Sequence, residues 1–482
     1  MKRDKDQLFS FIRNGQHITT KEQVNLTAKL SIPAIMTQIS FILVQYIDAS
    51  MVGHLGAECA AAVGLMSTST WLLGGLCECI ATGFSVIVAH KIGANKFYEA
   101  KNVLRESFTV CTTWALMLSF FGVLISSVLP HWLNGGDDIS PLASRYFLIF
   151  SLGIPFFSLN YLSGSMLRST GNIKIPSILN VVMCVLDMIL NFFLIYPSRE
   201  INFCGNTFYI YGAGLGVSGA ALGSVLAFVI VSIIITYYLV VRSKDLKIYN
   251  EEGSFRPTRE NLQNALKISI PIGLERAVMC IGAIIVTSII APLGNVCIAA
   301  DTFAITIEGI CYMPGYGIAD ATTTLIGQSI GAARKNLAKS FAKITTIISM
   351  LVLTAMSTIM FLSARFMFSL MTDNQEIIEL GTTILRIEAF AEPFFGAAII
   401  CYSCFVAAGN SLLPNIINIT SMWIIRIPLV MYMANFNGLI GVWTAMCIEL
   451  IIRGSIFLYY LRSPKWLNTQ AVRDAEKAKK VL

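Results

Sequence analysis

Charged residues are scarce in this sequence. Asp, Glu, Lys and Arg make up 13% of its 482 residues, about half the share that is usual in soluble globular proteins. Polar linkers are also few, although a soluble chain of this length would need them because a single hydrophobic core stops growing near about 300 residues. These two shortages exclude a soluble enzyme, a disordered protein and a nucleic-acid-binding protein.

Motifs of metal, redox and nucleotide chemistry are absent as well. The sequence has four His residues and no HExxH motif, and none of its twelve cysteines forms a CxxC pair with further metal-ligand partners. Most of the cysteines lie in apolar segments, where a free Cys behaves as a small hydrophobic residue. No GxxxxGK[ST] motif occurs, so we expect no direct use of ATP. The polar N-terminus predicts no cleavable signal peptide, and we expect no cofactor.

Long apolar segments dominate the chain instead, since 55% of the residues are hydrophobic. A transmembrane helix needs about 20 consecutive apolar residues, and twelve such segments are present. The sequence therefore predicts an all-α integral membrane protein with twelve transmembrane helices. The predicted spans are residues 29–52, 61–89, 108–129, 143–167, 175–197, 214–241, 266–291, 299–329, 341–364, 380–407, 411–433 and 437–461.

The positions of the basic residues predict how these spans are oriented. Of the 35 Lys and Arg residues, 28 fall in the two terminal segments and in every second loop. The opposite loops hold Arg145, Arg199 and Arg365, and the remaining four basic residues lie within spans. We therefore expect a multi-pass protein of the plasma (inner) membrane with both termini in the cytoplasm.

An internal repeat divides the chain into two halves. Its matching segments, 238 residues apart, are Ser31-Ile32-Pro33 with Ser269-Ile270-Pro271, Ile92-Gly93-Ala94 with Ile330-Gly331-Ala332, and Gly171-Asn172 with Gly409-Asn410. Further along, the register slips by 13 residues and Gly216-Val217 aligns with Gly441-Val442. The extra length in the first half is the loop PSREINFCGNTFYIYG.

Six spans per half is an even number, so both halves start on the same side and the repeat is parallel. Parallel repeats related by an axis along the membrane normal are typical of transporters, whose substrate sites lie near the interface between the halves. The predicted regions are a cytoplasmic N-terminal segment 1–28, a six-helix lobe 29–241, a cytoplasmic linker 242–265, a second six-helix lobe 266–461 and a cytoplasmic tail 462–482.

Several short motifs carry a resemblance to a known family. They are Pro33 with Asp48-x-x-Met51-Val52-Gly53, Ile92-Gly93-Ala94, Arg168-x-x-Gly171-Asn172, Met313-Pro314-Gly315 and Gly327-Gln328-x-x-Gly331-Ala332. In these motifs the chain resembles, over almost its whole length, the multidrug and toxic compound extrusion (MATE) family of the MOP flippase superfamily. The resemblance implies a V-shaped pair of six-helix lobes. It also implies efflux of organic, often cationic compounds in exchange for protons or sodium ions.

Polar residues at one depth of the first half form a candidate ion-coupling site. An ionisable residue within the bilayer is costly and is a functional candidate by default. At about 1.5 Å per residue, Asp48, Asp187, Asn191 and Ser224 lie at a similar depth. Their oxygen atoms suit Na⁺, a hard cation, and two close carboxylates equally suit a proton. The alternative is a buried polar cluster that only fixes helix packing.

The resemblance supports this cluster. DinF-like members of the family carry an acid in helix 1, an Asn/Asp pair in helix 5 and a hydroxyl in helix 6. Asp48 matches the first acid, but Asp187 and Asn191 stand in reverse order and Ser224 replaces the usual Thr. This departure leaves the choice between a proton and Na⁺ open. Asn180, which lies in the same predicted span as Asp187 and Asn191, completes the predicted ion-coupling set.

The second half carries its own acids, which we predict to form a substrate cavity or a second coupling site. Glu275 lies in span 7, Glu308 in span 8, and Glu388 and Glu392 one turn apart in span 10. NorM-like members of the family use an acid in helix 7, which Glu275 matches, and one in helix 10, which either Glu388 or Glu392 matches.

Charge pairing is the alternative for these acids. The intramembrane residues Arg276, Arg386 and Arg426 could neutralise them. Glu449 and Arg453 are four residues apart in span 12, in the order that favours an ion pair, and predict a structural pair.

These observations lead us to expect a secondary antiporter that exports lipophilic, often cationic organic compounds by rocking one lobe against the other. We expect it to act as a monomer among membrane lipids, with H⁺ or Na⁺ as the coupling ion and without a nucleic-acid partner. The alternative is a flippase of lipid-linked oligosaccharides or lipids of the same superfamily, which would carry more cationic residues in its cavity. A non-transporting scaffold would leave the internal acids unexplained.

Overall fold

Helices make up nearly the whole of the computed structural model, which describes residues 4–133, 135–203 and 206–481. In the first half they are α1 Lys5–Arg13, α2 Thr20–Gly53, α3 Ala57–Gly93, α4 Phe97–Ile125, α5 Leu129–Trp132, α6 Ser140–Ser169, α7 Lys174–Ile195 and α8 Val217–Tyr237, which continues as a π-helical turn, Tyr238–Arg242. In the second half they are α9 Arg259–Ile290, α10 Asn295–Gly331, α11 Lys335–Ser369, α12 Gln375–Glu388, α13 Glu392–Ala407, α14 Leu412–Thr420, a π-helical turn Ser421–Arg426, α15 Ile427–Arg462 and α16 Gln470–Val481. Short 3₁₀ turns lie at Ala291–Leu293 and Pro464–Leu467.

The predicted membrane-spanning architecture is confirmed. Within the described residues, ten helices are long and apolar enough to cross a membrane, and α12 with α13, bent by 54°, forms an eleventh span. One of the ten, Leu412–Arg462, has 51 residues and is roughly 75 Å long, more than two hydrocarbon layers of about 30 Å each. Gly438 interrupts it with non-helical dihedral angles (φ 54°, ψ −134°), which separates the eleventh predicted span from the twelfth.

Large apolar side chains cover the outside of the bundle. Phe120, Leu362 and Phe436 are 62%, 75% and 71% exposed, although soluble proteins rarely expose extended apolar surfaces. This distribution identifies the surface that faces lipid and makes the chain a multi-pass membrane protein.

Two segments outside the predicted spans have a structure that the sequence analysis did not predict. The helix α4 begins at Phe97, before the third predicted span at residue 108, because a helix can continue beyond the membrane where its polar side chains find partners. Glu106 accepts hydrogen bonds from Asn261 at 3.1 Å, and Lys101 pairs with Glu251 at 2.6 Å. The loop after the fifth span is a hairpin, whose strands β1 Pro197–Phe203 and β2 Asn206–Ala213 pair in antiparallel fashion.

Reciprocal contacts show that the two halves are related by an approximate twofold axis. Nε2 of His90 hydrogen-bonds to the carbonyl oxygen of Ala407 at 2.7 Å, and Nε2 of Gln328 donates to the carbonyl oxygen of Ser169 at 2.8 Å. Adding 238 to the residue numbers of one contact gives those of the other. In an isologous interface the same surfaces meet in this reciprocal manner. The predicted parallel repeat is therefore confirmed.

The same seam brings two helix ends into backbone contact. A Cβ atom on Gly93 would lie 2.2 Å from the carbonyl oxygen of Gln328, and one on Gly331 would lie 2.0 Å from that of His90. This seam lies at the membrane side that carries α1 and α16, which we call the terminal side. There Lys5 Nζ donates to the Gly171 carbonyl oxygen at 3.0 Å, and Arg334 Nη1 donates to the Phe11 carbonyl oxygen at 2.9 Å, so that α1 contacts both halves. Within the described residues, one hydrogen bond joins the halves at the opposite side, from Tyr46 Oη to Met371 Sδ at 3.8 Å.

The predicted register in the last third of the repeat is wrong by three residues. Gly216 (φ 56°, ψ −130°) has the backbone conformation of Gly438, not of Gly441. A Cβ atom on Gly219 would approach the Leu194 carbonyl oxygen, as one on Gly441 would approach that of Met433. Both segments have the sequence Gly-x-x-Gly, so an alignment based on identical residues can pair the first glycine of one segment with the second glycine of the other. The second half also gains one residue at the π-helical turn Ser421–Arg426, since a π-bulge is a single-residue insertion.

The seam predicts a difference between two Gly→Ala substitutions. Gly331→Ala places a methyl group against the His90 backbone and should destabilise the protein by about 1–3 kcal/mol, the usual cost of overpacking. Gly64→Ala, also within a helix but with open space around it, is the matched control and should not destabilise it. The measurement is the thermal unfolding midpoint of each purified variant in detergent. Equal midpoints for both variants would contradict the described close approach.

Candidate functional site

The structure brings the predicted polar residues of the first half together between α2, α7 and α8. Asn191 is fully buried and donates from Nδ2 to Oδ1 of Asp48 at 2.9 Å and to Oδ1 of Asp187 at 3.3 Å. The carboxyl groups of Asp48 and Asp187 also lie within hydrogen-bonding reach of each other. Because two carboxylates at this distance repel each other, the pair requires a shared proton or a cation.

Two further side chains complete the cluster. The Ser224 hydroxyl on α8 faces Asp187, as predicted. Tyr146 on α6 lies within electrostatic reach of both Asp48 and Asp187, and the sequence analysis missed it. A tyrosine in an apolar span carries no charge and repeats no motif, so only its depth, similar to that of Asp187, could have indicated it.

Asn180 is the predicted member that the structure does not bring to the cluster. It precedes Asp187 by two helical turns on α7 and so lies roughly 10 Å closer to the terminal side. Its Oδ1 atom is buried without a hydrogen-bond partner among the described residues.

A glycine lets α8 approach the cluster. A Cβ atom on Gly223 would lie 2.1 Å from Oδ1 of Asn191, so any side chain there would displace the amide. Oδ1 itself has no hydrogen-bond partner in the part of the chain that the structure describes. The amide therefore presents its donor to both carboxylates and its acceptor to α8.

This orientation bears on which cation the cluster could hold. Two carboxylates, a hydroxyl and an amide form an oxygen-rich donor set of the kind that hard cations prefer. With Nδ2 aimed at the carboxylates, however, the amide serves as a hydrogen-bond donor to them. An Na⁺ ion would require a rotation of the amide that brings Oδ1 into the cluster, whereas a shared proton requires none.

The predicted acids of the second half form two groups. Glu275 on α9 is buried and accepts a hydrogen bond from Nδ2 of Asn418 at 3.0 Å. Glu308, Glu388 and Glu392 are also buried and interact electrostatically with one another, in a group that we call the acid chamber.

The break between α12 and α13 positions two members of the acid chamber. Glu388 ends α12 and Glu392 begins α13, directly before Pro393. All four side-chain oxygens of Glu388 and Glu392 are buried without a hydrogen-bond partner among the described residues. A buried carboxyl group without a partner is strongly disfavoured as an anion, so these groups can bind protons or balance the charge of a cation.

Pairing with arginine accounts for one acid of the second half. Glu449 accepts from Nε and Nη2 of Arg426 at 2.9 and 2.6 Å, and its Oε1 lies 3.2 Å from Nε of Arg453. The predicted Glu449–Arg453 pair is thus present. Arg426 also lies in electrostatic reach of Glu308 and Glu388, but Arg386 is directed to the ring and the carbonyl oxygen of Phe361.

Charged residues between the two halves were missed by the sequence analysis. Glu78 on α3 and Asp320 on α10 each lie inside a span, so the cost of intramembrane charge should have identified them. Nε of Arg168 lies 3.6 Å from Oδ1 of Asp320, which joins the first half to the second. Glu78 lies in the electrostatic field of Arg168 and Arg276.

Comparisons with known proteins agree with this architecture. The family model MatE matches residues 33–193 and 271–432, two segments that begin 238 residues apart. The probable multidrug resistance protein NorM of Thermotoga maritima is 24% identical over 455 residues, which cover 94% of this chain and 95% of that protein. The probable multidrug resistance protein YoeA of Bacillus subtilis is 22% identical and covers 92% and 96%.

Solved structures show the same fold. A crystal structure of MATE in complex with MaL6 has a TM-score of 0.85 and 21% identity, and covers 97% of this chain and 99% of that chain. An outward-facing conformation of a multidrug resistance MATE family transporter also has a TM-score of 0.85, at 22% identity, and covers 96% and 99%. The family match spans more than half of the sequence in two repeats. The chain therefore belongs to the MatE family of membrane transporters.

Proposed function

We propose that this protein is a secondary active multidrug exporter, which moves lipophilic, often cationic organic compounds outward in exchange for protons or Na⁺. The observation that carries the proposal is the Asp48–Asn191–Asp187 cluster, in which two carboxyl groups share one amide donor inside the membrane. Such a cluster takes up a cation from one side of the membrane and releases it to the other only if access to it alternates. The named relatives, both probable multidrug resistance proteins, support the substrate class.

The contacts between the halves support alternating access by rocking. Close backbone contacts and the His90 and Gln328 hydrogen bonds hold the halves together at the terminal side. The terminal side faces the cytoplasm in this proposal, because the basic residues concentrate in the loops of that side. The described conformation is then closed to the cytoplasm, and transport requires the seam to open.

A proton is the coupling ion that the orientation of Asn191 favours. Its Nδ2 donates to both carboxyl groups, so the pair needs one shared proton and no rotation of the amide. The acid chamber provides further carboxyl groups that would bind protons or balance the charge of a cationic substrate. Because buried acids outnumber the intramembrane arginines, this charge balance favours cation handling over the transport of lipid-linked sugars.

Neutralising the cluster tests the proposal. Asp48→Asn and Asp187→Asn should each reduce gradient-driven dye export by at least about tenfold, within the usual range of coupling free energies between two ligands. The assay uses purified protein in liposomes, a fluorescent lipophilic cation, and proton and Na⁺ gradients imposed in separate runs. Asp301→Asn is the matched control. Asp301 accepts a hydrogen bond from Nε1 of Trp443 at 2.9 Å, and the amide oxygen of Asn can accept the same bond.

Full export by both cluster variants would contradict the proposal. Export by the wild-type protein that neither gradient drives would contradict ion coupling and would favour movement of lipid-linked oligosaccharides instead.

The acids of the second half predict opposite effects on stability. Glu388→Gln removes a carboxyl group without a partner and should leave the free energy of unfolding unchanged or raised. Glu449→Gln leaves Arg426 and Arg453 without their counter-charge and should cost about 3–5 kcal/mol, the usual effect of breaking a buried pair. Thermal unfolding in detergent measures both. A greater loss of stability in Glu388→Gln than in Glu449→Gln would show that the acid chamber is not the protonated or cation-holding group described.

A further inference from the structure

The helix α1 lies where two equivalent turns of the repeat meet. These turns follow α3 and α10, and each contains a residue in the left-handed conformation, Asn95 (φ 58°) in the first half and Ala333 (φ 53°) in the second. At the C-terminal end of α1, Oδ1 of Asn14 accepts from Nδ2 of Asn95 at 3.2 Å. The carbonyl oxygen of Phe11 accepts from Nη1 of Arg334 at 2.9 Å. The helix therefore bridges the two halves at the seam.

The first half holds α1 at several points along its length. The side chain of Phe9 is 1% exposed and covers Gly171, where a Cβ atom would collide with its ring. Nζ of Lys5 donates to the carbonyl oxygen of the same glycine at 3.0 Å. Nη2 of Arg13 lies 3.8 Å from Oδ2 of Asp245. These attachments are spread over the whole helix, so we expect α1 to move with the first half.

The second half holds α1 through an arginine at the end of the helix. Besides the carbonyl oxygen of Phe11, Nη1 of Arg334 reaches that of Ile12 at 3.4 Å. Both carbonyl groups belong to the last turn of α1, where the helix dipole favours a cation. Ile12 is also buried in one apolar cluster with Ile330 and Leu337 of the second half. The attachment to this half is thus concentrated at one end of α1.

The repeat provides no equivalent of this arrangement. By the 238-residue offset Arg334 corresponds to Lys96, which pairs with Glu99 of its own half at 2.8 Å. The segment that corresponds to α1 itself, 243–251, belongs to the linker and forms no α-helix. The contact of α1 with both halves is therefore an addition to the symmetric architecture and does not follow from it.

We infer that α1 is a strap that stabilises the conformation closed at the terminal side. The seam can open only if the turns at Asn95 and Ala333 separate, and α1 must then leave one of them. Because α1 moves with the first half, the contact with Arg334 is the one that breaks. A contact made in one of two states shifts their equilibrium toward that state. This inference rests on the alternating access of the proposed function, and it assigns to α1 the control of opening toward the terminal side.

Hydrogen exchange tests the strap in the full-length purified protein in detergent, without a substrate or an ion gradient. Exchange follows the population of the open form, and mass spectrometry reads it from the two helix ends that meet at the seam, residues 86–95 and 324–333. Arg334→Ala should raise exchange by at least about tenfold, the equivalent of one hydrogen bond to a charged group. The factor should be the same in both segments, because a single motion exposes both.

A matched control and a second variant separate the strap from a general loss of structure. Lys335→Ala removes the next basic residue, whose partner Glu476, at 2.9 Å, belongs to the same half, and should leave exchange at the seam unchanged. Phe9→Ala detaches α1 from the first half instead and should raise exchange at the seam as Arg334→Ala does. The double variant should raise it no further than the stronger single variant, since a strap released at one end no longer joins the halves.

Three results would overturn the inference: additive increases in the double variant, equal increases in Arg334→Ala and Lys335→Ala, or an increase confined to α1. Gradient-driven export is measured separately in liposomes. A protein that exports no dye but shows the expected exchange would contradict the proposed function and keep the strap, whereas export with unchanged exchange in Arg334→Ala would contradict the strap alone.

Discussion

The cost of placing an ionisable group in an apolar helical bundle governs the polar interior of this protein. Each such group must be paired, protonated, bound to a cation or open to water. Glu449 is paired with Arg426 and Arg453. Asp48 and Asp187 share the amide of Asn191, and the acid chamber has buried oxygens without partners. The groups that are not paired within the protein are the ones that can bind and release something.

The two halves share a backbone but differ in their polar groups. His90 and Gln328, equivalent under the repeat, make equivalent contacts at the terminal side. By the same offset, however, Asp48 corresponds to Val286, and Glu275 to Thr37. Apolar packing therefore maintains the symmetric architecture, while the charged residues differ between the lobes. An ion-coupling cluster in one lobe and an acid chamber in the other require this difference in polar residues.

The sequence was sufficient to predict the features that depend on hydropathy and on repeated sequence motifs. The spans and the 238-residue offset belong to this class. The proximity of Asp48, Asp187 and Asn191 was also predictable, because the rise per residue along each helix places the three side chains at one depth. Features set by backbone conformation or tertiary contacts were not predictable in this way. The extension of α4 to Phe97 depends on partners in the linker, and the equivalence of Gly216 with Gly438 is visible only in their dihedral angles. The orientation of the Asn191 amide and the contact of Arg168 with Asp320 depend on how the helices are placed side by side.

If the protein exchanges substrate for its coupling ion, binding of one must displace the other, and this displacement can be measured directly. A lipophilic cation is added to purified protein in weakly buffered detergent solution, and the protons released are followed with a pH indicator, while bound Na⁺ is followed in a parallel sample. Because linkage between two ligands is reciprocal, we expect the substrate to release protons and a lower pH to release the substrate. Release of Na⁺ alone would contradict a proton as the coupling ion, and substrate binding that displaces neither ion would contradict ion-coupled export.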